Sequence, residues 1–201
     1  MTSNVMCNSA YCSIEVLAYS ANRQGTTRNG FVKLNTVPVW QAAWFGEFPN
    51  RRGVTIILVD PFACSVKGLR QFDTYARQSF ATEMSNYLQA VNRGTIIVGV
   101  TGDEPTMRLN PALQTLREMG ADVADVQNWG AFGFVAQKGF PAKTVLRKAL
   151  TLAEALENQP RFSVTITGAI YCYQHTHTFA ILPVSRNHRT ICRDEFISCS
   201  H

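Results

Sequence analysis

Three almost continuously apolar stretches constrain this chain more than any other feature. They are residues 54–59, 95–100 and 132–136. Alternation of polar and apolar residues is typical of a half-exposed strand, whereas an unbroken apolar run indicates a strand covered on both faces. The segment 53–139 therefore predicts a buried sheet with helices packed on it.

Helices are predicted between and after these strands. Apolar residues recur at helical spacing over 80–91. A second helix is predicted from Asn110, which Pro111 follows, to Gly120, because Asn-Pro is typical of a helix start and glycine of a helix end. A third is predicted over 143–158. Strand–helix alternation of this kind is typical of a mixed or parallel sheet.

The first 50 residues predict a separate antiparallel β unit. Residues 13–18 alternate in part, and a polar, turn-rich stretch then leads into an apolar strand at 31–34. An aromatic cluster follows at 40–48 and is typical of a core edge. We predict an N-terminal extension at 1–12, one domain at 13–160, and a poorly specified extension containing Cys and His at 161–201.

Composition limits the classes of function. With 201 residues, of which 46% are hydrophobic and 16% charged, the chain can bury a real core. The net charge of +5 is dispersed, with no run of five basic residues, so nucleic acid is not expected as a partner. No apolar stretch approaches about 18 residues, so membrane insertion is not expected. The N-terminus lacks the basic and apolar regions of a signal peptide.

The six cysteines form no Cys-x-x-Cys pair, which disfavours zinc ribbons and thioredoxin-like sites. Cys64 lies in a predicted turn and is expected to be a free thiol. Cys172, His175 and His177 form a weak metal-ligand pattern without a fourth ligand at sensible spacing. We expect no metal and no cofactor.

Catalytic machinery is not found in the packed half of the chain. Residues 53–160 contain no histidine, the commonest general base. The nucleophile elbow, the phosphate-binding loop and the dinucleotide fingerprint are also missing. The sequence therefore predicts a binding module, not an enzyme.

Polar and aromatic residues in two loops are the candidates for ligand binding. Asp103 and Glu104 follow the strand at 95–100, and loops at strand ends are common ligand sites. Trp129 lies in an Asn-Trp-Gly loop just before the strand at 132–136. Asp73 is predicted to cap the turn that leads into the first helix.

Five short motifs follow one another between residues 52 and 140. They are RGVTIILVDP at 52–61, RQFDTY at 70–75, VTGDE at 100–104, LREMGA at 116–121 and FGFVAQKG at 132–139. Their order and spacing resemble the interleukin-like EMT inducer family, also called PANDER-like. The resemblance implies an α/β (α+β) fold: a β-β-α sandwich-like single domain with a mixed sheet flanked by helices.

The resemblance also implies a function. Family members include secreted cytokine-like proteins, a module of cell-surface hyaluronan-processing proteins, and the stem of an O-mannose N-acetylglucosaminyltransferase. That stem binds a sugar with an Asp in the loop after the central strand and an Arg just before the closing strand. Asp103 matches the Asp position, whereas Trp129 stands near the position where the family often has Arg.

We therefore predict a non-catalytic, glycan-binding domain with Asp103, Glu104 and Trp129 as its ligand-binding residues. A carboxylate accepts hydrogen bonds from paired sugar hydroxyls, and an indole can stack on the apolar face of a pyranose. The expected partner is a glycan or glycoprotein, outside the cell or in the secretory lumen. Two alternatives stay open. One is a cytokine-like domain that engages a protein receptor through an apolar patch near 40–48, and the other is an enzyme with a small phosphorylated ligand.

Overall fold

The computed structural model describes residues 11–20, 29–43 and 52–167. The strands are β1 (Tyr11–Leu17), β2 (Asn29–Leu34), β3 (Val37–Ala43), β4 (Gly53–Asp60), β5 (Ser65–Phe72), β6 (Ile96–Gly102), β7 (Ala131–Gln137), β8 (Val145–Ala149) and β9 (Arg161–Thr167). The helices are α1 (Gln78–Gln89), α2 (Asn110–Glu118) and α3 (Leu152–Glu157), with a 3-10 turn at Pro141–Lys143. This sheet-dominated architecture confirms the predicted α+β fold class.

The strands form two sheets. The smaller has the order β3-β2-β1-β9, and the larger has the order β5-β4-β6-β7-β8. Every strand pairing in the described ranges is antiparallel, so the predicted mixed sheet is wrong in this detail. The α1 crossover does join two parallel strands, β5 and β6, but β4 lies between them and pairs antiparallel with both.

The three central strands of the larger sheet, β4, β6 and β7, are buried on both faces, as their apolar runs predict. Ile57 and Val59 of β4 point into the core shared with the smaller sheet. Val54 and Ile56 of the same strand point into a second core, which α1 and α2 cover. Gly99 gives room for the Phe134 ring, since a Cβ at residue 99 would overlap that ring. The sandwich thus has two separate apolar layers that hold its loops in place.

A disulfide joins the two sheets. Cys12 of β1 and Cys64 of the turn after β4 are bonded, with their Cα atoms 5.2 Å apart. The prediction that Cys64 is a free thiol is therefore wrong. The sequence places these cysteines 52 residues apart, and only the stacking of the two sheets brings them together.

The predicted helix at 143–158 is wrong in its first half. Residues 145–149 pair with β7 as the edge strand β8, because strand pairing overrides an apolar spacing that also fits a helix. Helix α3 begins only after Thr151, whose side chain accepts a hydrogen bond from the Glu154 N–H at 3.2 Å. The Glu154 carboxylate accepts in turn from the Leu150 N–H at 2.6 Å. This reciprocal cap fixes the start of α3.

The paired structure extends past both predicted domain boundaries. Strand β9 (Arg161–Thr167) pairs with β1 along its whole length, and β1 itself starts at Tyr11. Glu15 of β1 fixes this arrangement, because its carboxylate contacts Arg161 of β9 at 2.8 Å and Lys33 of β2 at 3.1 Å. The remaining tail, 168–201, with its cysteines and histidines, lies outside the described residues.

The aromatic cluster at 40–48 is described only at its start. Trp40 of β3 is buried in the core between the sheets, with 8% of its surface exposed. This burial agrees with the predicted core edge and removes Trp40 from any exposed apolar patch. Residues 44–50, which include the other three aromatic side chains of the cluster, lie outside the described part of the chain.

Candidate functional site

Three loops and Arg52 meet at one end of the larger sheet, where β4 begins and β6 ends. Gly53 and Gly102 are paired there, and β5 ends beside them at Phe72. We call this region the loop end. It is formed by Arg52, by the loop 73–77 after β5, by the loop 103–109 after β6, and by the loop 127–130 before β7. The two predicted loops with Asp103 and Trp129 therefore do come together.

Glu104 lies beneath this surface and ties two of the loops together. Its side chain is completely buried. One carboxylate oxygen accepts hydrogen bonds from the Thr106 N–H at 2.7 Å, the Thr106 hydroxyl at 2.6 Å and the Met107 N–H at 3.1 Å. The other accepts from the Trp129 N–H. Glu104 is thus a positioning residue, and the prediction that it contacts a ligand is corrected, because a buried and fully hydrogen-bonded carboxylate presents no surface to one.

Trp129 has a left-handed backbone, with φ at 68°. For a residue with a Cβ this conformation costs about 1–2 kcal/mol and persists only where neighbouring groups enforce it. Glu104 accepts from its N–H, and the Ser20 hydroxyl donates to its carbonyl oxygen. Ser20 follows β1, which is held at this end by the hydrogen bond from the Tyr19 N–H to the Thr101 carbonyl. Both sheets therefore position this tryptophan.

The Trp129 ring lies against Tyr75, with ring centroids 6.4 Å apart and planes at 50°. The Arg52 guanidinium also contacts Tyr75, at 4.8 Å from the ring centroid, a cation–π distance. All three side chains are half-buried. We call Arg52, Tyr75 and Trp129 the aromatic corner.

Asp73 fixes Arg52 in the aromatic corner. The Arg52 guanidinium forms an ion pair with the Asp73 carboxylate at 2.7 Å. The other oxygen of Asp73 accepts from the Ala76 N–H at 3.0 Å, so Asp73 caps its turn as predicted. Gly53 has φ at 85°, and a Cβ there would collide with the Phe72 carbonyl, so the chain beside Arg52 must approach this loop closely.

The loop after β6 is joined to the Tyr75 loop by three further contacts. The Thr74 hydroxyl, which is buried, donates to the Pro105 carbonyl at 2.6 Å. The Arg108 N–H donates to the Thr74 carbonyl at 3.1 Å. The Arg108 guanidinium donates to the Tyr75 carbonyl. These contacts make loops 73–77 and 103–109 a single polar surface.

Asp103 lies at the start of this surface, directly after the last residue of β6. Its backbone is left-handed, with φ at 60°, and its side chain is half-exposed. A carboxylate at such a position can accept hydrogen bonds from hydroxyl or amide donors of a ligand. The loop end thus offers an acceptor, two aromatic rings and the guanidinium groups of Arg52 and Arg108.

Sequence reasoning missed Tyr75, Arg52 and Arg108 as members of the site. The only local signal was the Phe-Asp-Thr-Tyr motif at 72–75, which predicted the Asp73 cap but no ligand contact. The sequence named no cation for the site, because Trp129 stands near the position where the family often has Arg. In the structure, Arg52 and Arg108 bring positive charge to the aromatic corner from other parts of the chain.

Among the described residues, no helix is both long and apolar enough to cross a membrane. Within the same residues, no group of three or more His, Cys, Asp or Glu side chains is arranged to hold a metal ion.

Comparison with known proteins gives one family match. Among curated proteins, none matches this chain. A family model does match, over residues 52–140, and this stretch runs from Arg52 of the aromatic corner to Phe140 after β7. Arg52 and the three loops of the loop end fall inside it, and the resemblance indicated by the five motifs is confirmed. Residues 52–140 of this chain match the interleukin-like EMT inducer family.

Proposed function

We propose that this domain binds a glycan at the loop end, through the aromatic corner and Asp103, and does not transform it. The observation that carries the proposal is the backbone of Trp129. A large aromatic residue is held in an unfavourable conformation by Glu104 and by Ser20, and its ring stays half-exposed. Enforced strain of this kind is concentrated at functional sites.

The chemistry of the loop end supports a sugar as the ligand. The apolar face of a pyranose packs on aromatic rings, which Tyr75 and Trp129 supply side by side. Sugar hydroxyls donate to carboxylates, and Asp103 lies in the adjoining loop. Of the cavities in the described residues, one of about 230 Å³ lies beside α1 and β5 and one of about 180 Å³ lies beside Lys138. Both are away from the aromatic corner, whose open surface suits a saccharide better than an enclosed small molecule.

The disulfide supports a place in the secretory lumen or outside the cell. Structural disulfides such as Cys12–Cys64 form and persist in oxidising compartments. Glycans are abundant partners there.

The proposal is tested by titrating the isotope-labelled chain with a panel of neutral and acidic oligosaccharides, including N-acetylhexosamines, and following amide shifts by NMR. We expect shifts at Tyr75, Asp103 and Trp129. The variants Trp129→Ala and Asp103→Asn should each weaken binding by about tenfold or more, the scale of one lost charge-assisted or stacking contact.

Asp125→Asn is the matched control for Asp103→Asn. Asp125 is an exposed carboxylate paired with Lys148, and it lies outside the loop end. Its replacement should leave the affinity unchanged. The absence of a shift at the loop end with every oligosaccharide would contradict the proposal, and so would equal losses in the Asp103 and Asp125 variants.

A second candidate function, protein interaction of the cytokine-like kind, is favoured by a different surface. The hairpin of β4 and β5 exposes Phe62, Val66 and Leu69, with 53%, 40% and 47% of their surfaces accessible. If this hairpin engages a protein receptor, Phe62→Ser with Leu69→Ser should abolish cell-surface binding. Leu156→Ser, at an equally exposed leucine on α3, should not. Loss of binding after glycosidase treatment of the cells would favour the glycan proposal instead.

A further inference from the structure

Two arginines reach Tyr75, and their electrostatic situations differ. Arg52 is neutralised by Asp73, since their charged groups lie 2.7 Å apart. Arg108 is exposed, and its guanidinium donates to the uncharged carbonyl oxygen of Tyr75. Among the described residues, no carboxylate forms an ion pair with Arg108. Of the two guanidinium groups that reach Tyr75, one therefore has its charge balanced by a carboxylate and the other, among the described residues, does not.

The position of Arg108 is fixed by its main chain as well as by its side chain. Its N–H donates to the Thr74 carbonyl at 3.1 Å, and its guanidinium reaches the next residue of the same loop, Tyr75. A guanidinium has five N–H donors in a planar fork, so one hydrogen bond to a carbonyl leaves donors for a further acceptor. Such a fork matches the paired oxygens of a carboxylate or sulfate.

Asp103 and Arg108 lie on the same loop, on which the buried Glu104 carboxylate fixes the turn between them. An acidic sugar carries both groups that such a loop can bind, namely hydroxyl donors and an oxyanion. A neutral sugar would leave the Arg108 charge without a partner. The charge pattern therefore favours an acidic saccharide over a neutral one.

We propose that the loop end selects glycans that carry an oxyanion, the carboxylate of an acidic sugar or a sulfate ester, and that Arg108 is the residue responsible for this selection. This inference rests on the proposed glycan-binding function and names its substrate class. Arg108 binds the oxyanion, while the aromatic corner and Asp103 bind the sugar ring and its hydroxyls.

The test uses two matched pairs of ligands on the full chain. The first pair is a glucuronate-containing tetrasaccharide and its carboxyl-reduced counterpart. The second is a sulfated neutral tetrasaccharide and its desulfated form. Calorimetry should show the acidic member of at least one pair binding about tenfold more tightly, the effect of one charge-assisted hydrogen-bonded contact. The pair that shows the preference identifies which oxyanion is recognised.

Three variants assign the preference to Arg108. Arg108→Gln should reduce the ratio of acidic to neutral affinity from about tenfold to near one, and Arg108→Lys should keep an intermediate ratio, since it retains the charge but not the fork. Arg147→Gln removes an exposed charge from β8, outside the loop end, and should leave the ratio unchanged. The affinity for the neutral ligand is the control for a disturbed Tyr75 loop. Such a disturbance lowers the affinities for the acidic and the neutral ligand together.

The outcomes separate the two proposals. If the wild-type chain binds acidic and neutral members equally, the selection inference fails while glycan binding stands. If no member of either pair binds, both fail. If Arg147→Gln lowers the ratio as much as Arg108→Gln does, the preference comes from net charge and the assignment to Arg108 is wrong.

Discussion

The turn between β4 and β5 and the loop end lie at opposite ends of the larger sheet and are held by different kinds of contact. The hydrogen bonds and the ion pair within this turn, which we call the disulfide end, are local. Asp60 accepts from the Phe62 and Ala63 N–H groups at 2.8 and 3.0 Å and pairs with Lys67 at 2.6 Å. From this turn, the disulfide between Cys64 and Cys12 reaches a distant part of the chain.

At the loop end the contacts are long-range. Glu104 and Trp129 are 25 residues apart, Arg52 and Asp73 are 21 apart, and Ser20 and Trp129 are 109 apart. Local contacts at the disulfide end stabilise one turn. The long-range contacts at the loop end hold half-exposed aromatic rings in fixed positions. The difference indicates that the first end serves stability and the second presents a surface.

The largest expected effect is loss of the disulfide. Replacing both Cys12 and Cys64 with serine should lower the free energy of unfolding by about 4 kcal/mol, the chain-entropy value for a loop of this length. Denaturant unfolding measures the loss, and reduction of the wild type is the control. Amide shifts of Asp103 and Trp129 should stay in place, because the disulfide end is distant from the loop end. Changed amide shifts of Asp103 and Trp129 in the double serine variant would show that the two ends are not independent.

Glu104→Gln should give the next largest effect, at the loop end. The amide keeps one acceptor oxygen but turns an NH₂ group toward N–H or O–H donors that are buried with it. We expect a loss of about 2–3 kcal/mol in unfolding free energy and displaced resonances for Trp129. Glu118→Gln is the control, because Glu118 is exposed, and it should change stability by less than about 0.5 kcal/mol. Equal losses of unfolding free energy in Glu104→Gln and Glu118→Gln would show that Glu104 has no positioning role.

A smaller, pH-dependent effect belongs to the disulfide end. The Lys67 ammonium, with the Ala63 and Phe62 N–H groups, lowers the pKa of Asp60 to about 2 from 3.8. Because the folded-state pKa lies below the unfolded one, this contribution is present above pH 3.8 and is lost as the pH falls toward 2. We expect about 1–2 kcal/mol of stability to be lost between roughly pH 5 and pH 2.

Unfolding measured across that pH range tests this assignment against Asp60→Asn. The variant should have lower stability at neutral pH and a shallower loss in acid. The binding affinity of the loop end for a neutral sugar should not change at neutral pH in this variant, since Asp60 lies at the other end of the sheet. If the free energy of unfolding falls as steeply with decreasing pH in Asp60→Asn as in the wild type, other carboxylates cause the loss.

The difference between local and long-range contacts also explains which elements of the fold the sequence predicts. Strands β4, β6 and β7 were predictable, because burial on both faces leaves an unbroken apolar run in the sequence itself. Strand β8 was not, since its spacing also fits a helix and pairing with β7 decided the outcome. The Cys12–Cys64 bond was equally hidden, because it depends on how the two sheets stack.

The candidate site likewise contains residues that the sequence predicts and residues that it does not. Asp103 and Trp129 were found because they lie in loops next to predicted strands, and the structure places both at the loop end. The burial of Glu104 was not predictable, because its partner N–H on Trp129 comes from a loop 25 residues away. Tyr75 and Arg52 were missed for the same reason, since neither has a pattern in its own neighbourhood that indicates a ring contact.

The smallest expected effect isolates the strain at Trp129. At a φ of 68°, glycine is favoured over alanine by about 1 kcal/mol, because alanine has a Cβ that crowds its own backbone. Trp129→Gly should therefore be more stable than Trp129→Ala by that amount, although both lack the ring. Tyr75, which has no positive φ, is the matched control, and there the alanine variant should be the more stable of the two. Denaturant unfolding of the four variants measures both differences. If alanine is the more stable variant at both positions, Trp129 carries no enforced strain, and the main support for a binding role of the loop end is lost.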